Sequence, residues 1–225
     1  MKRLILAAAL VGGAALSATP ASAKKTCEEF AELRIALEQN ATDGDAEIVL
    51  FAQGNDEGLS DLSIKAPDGR KAVRVKGNRR GVGLREFLLE SAEPPDLPRV
   101  LASFPEGEYE VSGRTVTGGC LEGSVSLSHE LAPATTLLAP EEDAEVPAGP
   151  LTLEWAAVPE AELYVVELQN EDLGNEFTLE VLPGTTSLTL PAELLVPGSE
   201  YQFGVAVVTA VGNITAVELT FTTAP

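Results

Sequence analysis

The fold of the second half of this chain is decided by Leu195-Val-Pro-Gly-Ser-Glu-Tyr-Gln-Phe-Gly-Val-Ala-Val207. After a Pro-Gly turn, the large apolar residues Phe203, Val205 and Val207 alternate with Gln, Gly and Ala. Successive side chains of a strand point to opposite faces of its sheet, so this alternation predicts a strand with one face in a core. The turn and the strand together indicate an antiparallel β structure.

The strand-like runs around this stretch resemble those of a fibronectin type III domain. In that family the second strand carries a core tryptophan and the third a core aromatic residue. A "tyrosine corner", a buried phenol bonded to backbone upstream, opens the penultimate strand. The resemblance therefore implies a β-sandwich over residues 141–225 with structural core residues Trp155, Tyr164 and Tyr201. An exposed Trp155 would instead suggest a platform for stacking sugars. The resemblance implies no enzymatic activity, because a fold does not specify a function. The matching runs are Leu151–Trp155, Leu163–Leu168, Thr185–Leu190, Tyr201–Val207 and Val217–Thr223.

The first half, residues 24–130, is predicted to be a mainly β, sandwich-like domain with one short helix. Its strand-like runs are short and separated by Gly, Pro, Asp and Asn, which is typical of sandwiches and barrels. Pro67-Asp68-Gly69 predicts a hairpin turn. Leu97, Val100, Leu101 and Phe104 follow helical spacing after Asp96, a plausible N-cap. The Ala/Pro/Thr-rich residues 131–140 are interpreted as a linker, so the predicted fold class is all-β throughout.

The N-terminus has the pattern of a cleaved signal peptide. Met1-Lys2-Arg3 precedes an apolar run and an A-x-A site ending at Ala23. We expect cleavage near Ala23 and an exported chain, periplasmic or secreted, without membrane insertion. The alanine-rich leader is typical of bacteria. The two-domain arrangement also resembles a group of uncharacterised exported bacterial proteins, on motifs such as Phe104-Pro-Glu-Gly-Glu-Tyr109; that resemblance implies no activity.

The two cysteines, Cys27 and Cys120, have one pairing available. An oxidising compartment favours a disulfide between them, and a bridge that closes so long a loop adds roughly 4–5 kcal/mol in the chain-entropy model. Two free thiols are the alternative interpretation.

Charge is distributed unevenly along the chain, whose formal net charge is -20. Residues 131–225 contain 15 Asp or Glu and no Lys or Arg. Nucleic acid and anionic membranes are poor partners for such a chain. Lys65, Arg74 and Lys76 should share one face of the predicted hairpin. They form either an ordinary solvated face or a basic patch, whose partner would be an outside acidic protein or the chain's own acidic second half.

The polar residues of the sequence include several candidates for a chemical site, and none is predicted to form one. His129, the only histidine, lacks an accompanying nucleophile motif. No metal site, catalytic residue or cofactor is predicted, although Glu86, Glu90 and Glu93 form an acidic cluster of the kind that glycosidases use. Two interpretations stay open for the Asp43/Asp45 loop and the neighbouring Asn55-Asp-Glu57 loop. Their oxygen atoms bind calcium, or they form the hydrogen bonds of ordinary turns. Asn40-Ala-Thr42 and Asn213-Ile-Thr215 match the N-glycosylation pattern, as chance matches would.

The leading functional interpretation is a non-enzymatic exported protein. It would bind an envelope or extracellular protein or polysaccharide through its β-sandwich surfaces. The alternative is an accessory module of a polysaccharide-processing system, for which exposed coplanar aromatic residues would be the signature. Specificity is expected to lie in residues 24–130.

Overall fold

A computed structural model describes residues 26–77, 81–147, 149–170 and 172–225. Within those residues, strands dominate, accompanied by one α-helix and one 3-10 helix. They form two β-sandwiches in series, so the predicted fold class is confirmed. The predicted leader and the basic residues Arg79 and Arg80 lie outside the described part of the chain. Over that part, no helix is long and apolar enough to span a membrane.

The first sandwich packs a three-stranded sheet against a five-stranded one. Their facing side chains form one buried core that includes Leu37, Leu62, Ile64, Tyr109 and Leu121. The three-stranded sheet consists of β2 (Glu32–Asn40), β3 (Ala46–Gln53) and β6 (Glu86–Glu90). The other contains β1 (Glu28–Glu29), β4 (Leu59–Lys65), β5 (Lys71–Lys76), β7 (Gly107–Thr115) and β8 (Cys120–Leu127).

The predicted short helix of this half is α1 (Leu97–Ser103). Asp96 is its N-cap, because the carboxylate accepts a hydrogen bond from the backbone N–H of Arg99 at 3.2 Å. Pro98 lies in the first turn, where a missing N–H costs nothing. The side chain of Val100 is buried in the first core, so the helix packs this face against the sandwich. The helix forms part of the connection between β6 and β7.

The second sandwich packs sheets of three and four strands around Trp155, Tyr164, Phe203 and Phe221. Seven strands in two antiparallel sheets are the immunoglobulin-like architecture that fibronectin type III domains share; an eighth, three-residue strand pairs in parallel with the last one. Its strands are β9 (Leu137–Ala139), β10 (Ala144–Val146), β11 (Leu151–Trp155), β12 (Leu163–Asn170), β13 (Asn175–Val181), β14 (Ser187–Leu190), β15 (Glu200–Val208) and β16 (Ile214–Thr223), with a 3-10 helix at Ala192–Leu194.

The two sandwiches have the same strand order. In the second half β13-β12-β15-β16 form one sheet and β14-β11-β9 the other; in the first half β5-β4-β7-β8 and β6-β3-β2 correspond to them. A short segment, β1 or β10, runs parallel to the last strand of each sandwich. A helical turn precedes the penultimate strand in both. The N-terminal domain is therefore built on the same plan as the C-terminal one.

One sheet runs through both halves. β16 pairs in parallel with β2, from Ile214 opposite Glu38 to Ala216 opposite Asn40. The strands β13-β12-β15-β16-β2-β3-β6 thus form a continuous sheet across the junction.

The segment 131–140 passes directly from one core to the other. Leu131 packs against the first core, Ala132 is buried in the second, and Leu137–Ala139 form β9, which pairs with β11. Cutting the chain into domains at 24–130 and 141–225 stays a prediction, and β9 belongs structurally to the second sandwich.

Candidate functional site

The three aromatic residues predicted to be structural lie in the second core. The rings of Tyr164 and Trp155 contact edge to face, with their centroids 5.8 Å apart. The Tyr164 hydroxyl accepts a hydrogen bond from the Val158 N–H at 2.7 Å. The Tyr201 hydroxyl accepts one from the Val196 N–H at 2.7 Å, which closes the tyrosine corner. Trp155 is 1% exposed, so its ring presents no face to a sugar.

A second tyrosine corner, which the sequence reasoning missed, lies in the first half. Tyr109 is 1% exposed, and its hydroxyl donates a hydrogen bond to the Pro105 carbonyl oxygen at 3.0 Å. The signal was present in the sequence, because a proline stands four residues before the tyrosine in both halves: Pro105 before Tyr109 and Pro197 before Tyr201.

The predicted disulfide joins Cys27 to Cys120, across a sequence separation of 93 residues. It lies where β1 pairs with β8, so it attaches the N-terminal segment to the last strand of the first sandwich. Its position indicates a structural role.

Lys65, Arg74 and Lys76 lie on the outer face of the β4–β5 hairpin, because Leu62 and Ile64 occupy the inner face. The same outer face carries acids. Lys65 pairs with Glu110 at 2.9 Å and Arg74 with Asp61 at 3.2 Å. Much of the expected basic patch is therefore neutralised locally by neighbouring strands. Its docking on the second half stays a prediction.

The loops considered for calcium lie at opposite ends of β3, whose 8 residues span about 26 Å. Asp43 accepts the N–H of Asp45 at 3.0 Å, and Asn55 accepts the N–H of Glu57 at 3.2 Å. These are turn-forming bonds to nearby backbone. In the part of the chain that the structure describes, no group of three or more His, Cys, Asp or Glu is placed to hold a metal ion.

His129 connects two loops at the base of the first sandwich. Its Nε2 lies 2.7 Å from the Phe104 carbonyl oxygen, and its backbone N–H donates to the Glu106 carboxylate at 2.7 Å. These contacts attach the end of β8 to the segment after α1.

The two glycosylation-like tripeptides lie at the junction. Asn213 is 1% exposed; its Oδ1 accepts the Leu37 N–H at 2.9 Å, and its Nδ2 donates to the carbonyl oxygens of Ser128 and Glu130, both at 2.9 Å. Thr42 accepts the Glu218 N–H at 2.9 Å. Thr215 Oγ1 donates to the Ala132 carbonyl oxygen at 2.9 Å. The Asn213 and Thr42 bonds join the two halves, and the Thr215 bond fixes the segment that connects them.

An acidic cluster lies beside the junction, formed by Glu38, Glu47, Glu90 and Glu93. Partial burial, followed by the charges of Glu93, Glu38 and Glu90, raises the pKa of Glu47 to about 7. Burial, followed by Glu90 and Glu167, raises the pKa of Glu38 as well. Of the three acids considered for a glycosidase, Glu90 and Glu93 belong to this cluster. Glu86 instead accepts a hydrogen bond from Gln53, at the other end of β6.

The largest cavity described is a groove on the outer face of the continuous sheet, with a volume of about 410 Å³. Its lining comes from both halves: all seven strands of the continuous sheet contribute to it, together with β8. Outward positions of β3, β6 and β12 supply apolar side chains, and Leu88 and Val211 are 60% and 52% exposed. We call this surface the junction groove; its outward apolar lining residues are Ala36, Val49, Phe51, Leu88, Leu163, Val165, Val208, Val211 and Ile214. At one edge it also reaches Leu33, Ile35 and Val125 of the first core.

Charged residues border the junction groove. Glu38 and Glu180 belong to its lining, together with one base, Arg34. The Arg34 guanidinium lies 5.0 Å from the centre of the Phe51 ring and pairs with Glu32 at 2.7 Å. The groove therefore combines an apolar floor with an edge that is mostly acidic.

The chain is similar to solved fibronectin type III structures at low identity. The FN1–FN3 domains of chicken CNTN1 match with 12% identity and a TM-score of 0.36, over 87% of this chain and 65% of that chain. A two-domain fibronectin type III segment from chicken tenascin matches with 13% identity and a TM-score of 0.33, over 86% and 98%. The chain thus spans less than two thirds of the first of these structures. No family model matches it, and the comparison with curated proteins gave no match.

Proposed function

We propose that the chain is an exported, non-enzymatic protein that binds another envelope or extracellular component through the outer surfaces of its β-sandwiches. The observation that carries this proposal is the junction groove, an open apolar surface to which both halves contribute. Ligand sites are commonly concave, largely apolar and located between domains. The leader pattern and the disulfide support export.

The continuous sheet makes the groove a defined surface. Backbone pairing between β16 and β2, together with the Asn213 hydrogen bonds, holds the two sets of lining residues in one arrangement. A surface that is already rigid before binding loses less conformational entropy when it binds a partner. Specificity therefore depends on residues of both halves, and not on residues 24–130 alone as the sequence suggested.

The test is capture of partners from the native envelope and the culture medium by the whole mature chain. We compare the wild type with Leu88→Lys in the groove and with Leu138→Lys on β9, outside the groove lining; Leu88 and Leu138 are 60% and 54% exposed. We expect at least one component to be retained by the wild type and Leu138→Lys but lost with Leu88→Lys. Equal capture by all three chains would contradict binding through the groove.

Export is tested separately by the mass of the mature chain. We expect a chain that begins at Lys24 in the periplasm or the medium. Recovery of the uncleaved chain alone from the cytoplasm would contradict export.

A further inference from the structure

The outward face of the junction differs in composition from the other outward face of the first sandwich. Outward positions of β4, β5 and β7 carry polar or charged residues, such as Ser63, Arg74 and Glu110. Outward positions of β3 and β6 in the groove instead carry Val49, Phe51 and Leu88, with Phe51 directly opposite Leu88. A solvated sheet face normally carries polar residues, so a contiguous apolar surface indicates an interaction site.

The second half extends this apolar surface. Leu163 and Val165 point outward from β12, because Tyr164 and Val166 between and after them are fully buried. Val208 lies opposite Leu163 on the adjacent β15, and Ile214 lies opposite Glu38 at the crossing into the first half. Seven neighbouring strands separated by about 4.8 Å give the groove a length of about 29 Å. An α-helix of about 19 residues has that length.

The charges around the groove restrict the partner. Two acids line it, Glu38 and Glu180, while Arg34 already pairs with Glu32. The outward residues Glu47, Glu90 and Glu167 add negative charge to the same face. A second copy of this chain, with its formal net charge of -20, would bring carboxylates against carboxylates. A complementary ligand needs apolar side chains flanked by positive charges.

We propose that the junction groove binds a cationic amphipathic peptide segment of a partner protein as a helix, with apolar residues on the groove floor and Lys or Arg against Glu38 and Glu180. This mode is helix-in-groove recognition, with anchors at i, i+3, i+4 and i+7. The proposal rests on the proposed function, since it identifies the class of partner that the groove takes.

The probe is a synthetic amphipathic peptide of about 18 residues with Leu on one helical face and Lys on the other, a length that spans the groove. A peptide of identical Leu pattern with Glu in place of Lys is the charge control. Binding to the mature chain is measured by fluorescence anisotropy. We expect the Lys peptide to bind at least about tenfold more tightly than the Glu peptide, and its binding to weaken as salt screens the charges.

Two pairs of variants locate the binding. Leu88→Lys should raise the Kd of the Lys peptide about tenfold, because it replaces an apolar anchor with a charge of the same sign as the peptide, while Leu138→Lys should leave it unchanged. Glu180→Gln should raise the Kd and make binding less dependent on salt, because one screened attraction is lost. Glu154→Gln on β11 should have no effect. Circular dichroism of each variant verifies that it is folded.

The outcomes separate this inference from the proposed function. If envelope capture depends on Leu88 but the Lys and Glu peptides bind alike, the cationic partner is wrong and groove binding stands. If Leu88→Lys and Leu138→Lys behave alike in both assays, both proposals fail. Binding to phosphatidylglycerol vesicles in preference to the Lys peptide would also overturn the peptide assignment.

Discussion

Asn213 is a buried amide whose oxygen and nitrogen both bond to the other side of the junction. It reaches the Leu37 N–H and the carbonyl oxygens of Ser128 and Glu130. Buried polar groups are costly when unpaired, so one side chain here satisfies three backbone groups of the first half and of the segment that leads into the second. This connection makes Asn213 the central polar residue of the junction.

Replacing Asn213 by Ala should lower the free energy of unfolding by about 2–4 kcal/mol, because it leaves buried backbone donors and acceptors unpaired. Urea denaturation of the disulfide-intact chain measures the change. Asn55→Ala is the matched control, since the Asn55 amide makes exposed hydrogen bonds. Equal midpoints for the two variants would show that the Asn213 bonds contribute nothing to stability.

Glu47 should make the protein less stable as the pH rises. Its folded-state pKa is raised from 4.5 to about 7. Between those values the folded chain binds more protons than the unfolded chain, so unfolding becomes easier with increasing pH. Glu47→Gln should therefore increase the free energy of unfolding at pH 8 and have a smaller effect at pH 4.5.

Urea midpoints at the two pH values test this, with Glu154→Gln on an exposed position of β11 as the control. A Glu47→Gln effect that is the same at both pH values would argue against a raised pKa and for a change in packing alone.

At the scale of elements, the two tyrosine corners fix equivalent turns in opposite ways. Tyr201 accepts a backbone N–H, whereas Tyr109 donates to a carbonyl oxygen. Buried N–H groups without a partner are rarer in proteins than buried carbonyls that lack a full set of donors. The two hydroxyls should therefore contribute unequally to stability.

Tyr201→Phe should cost about 1–3 kcal/mol, because it leaves the Val196 N–H unpaired, and Tyr109→Phe should cost less, about 1 kcal/mol. Both changes keep the ring and its packing. Denaturant titration gives the two values, and equal costs for the two variants, or a larger cost for Tyr109→Phe, would contradict the assignment of donor and acceptor.

Most elements could be predicted from the sequence, because their patterns are local. The alternation around Phe203, the Pro-Asp-Gly turn and the Asp96 cap each lie within a few neighbouring residues. β1, β9 and β10 were missed, since 2 or 3 residues are too few for a periodic pattern, and β13 (Asn175–Val181) was missed as well. The pairing of β16 with β2 joins residues 176 apart in the chain (Ile214 and Glu38), and no local pattern encodes such a register.

The junction groove had a signal that can be read only once the topology is known. Ile48-Val-Leu-Phe-Ala52 and Leu163-Tyr-Val-Val166 are continuous apolar runs, which are typical of strands covered on both faces. The structure covers one face of each with its own core and leaves the other open. Likewise, nothing in Asn213-Ile-Thr215 distinguishes a glycosylation pattern from a buried junction.

At the scale of the whole molecule, hydrogen bonds and packing join the halves. The contacts run through β16, β2 and Asn213, while Lys65 and Arg74 pair within the first half. β5 is separated by three strand spacings, about 14 Å, from β8, whose end leads to the Asn213 contacts. The basic hairpin therefore lies away from the junction in this arrangement.

The shape of the molecule in solution should accordingly be insensitive to salt. Raising the salt to 1 M shortens the Debye length to about 3 Å and weakens exposed ion pairs, but it leaves backbone pairing and apolar contacts intact. Small-angle scattering of the mature chain should give the same radius of gyration in low and high salt. Asn213→Ala serves as the positive control, because a weakened junction should broaden the distance distribution. Expansion of the wild type in high salt would instead mean that electrostatic docking, for which the basic hairpin is the candidate, holds the two halves together.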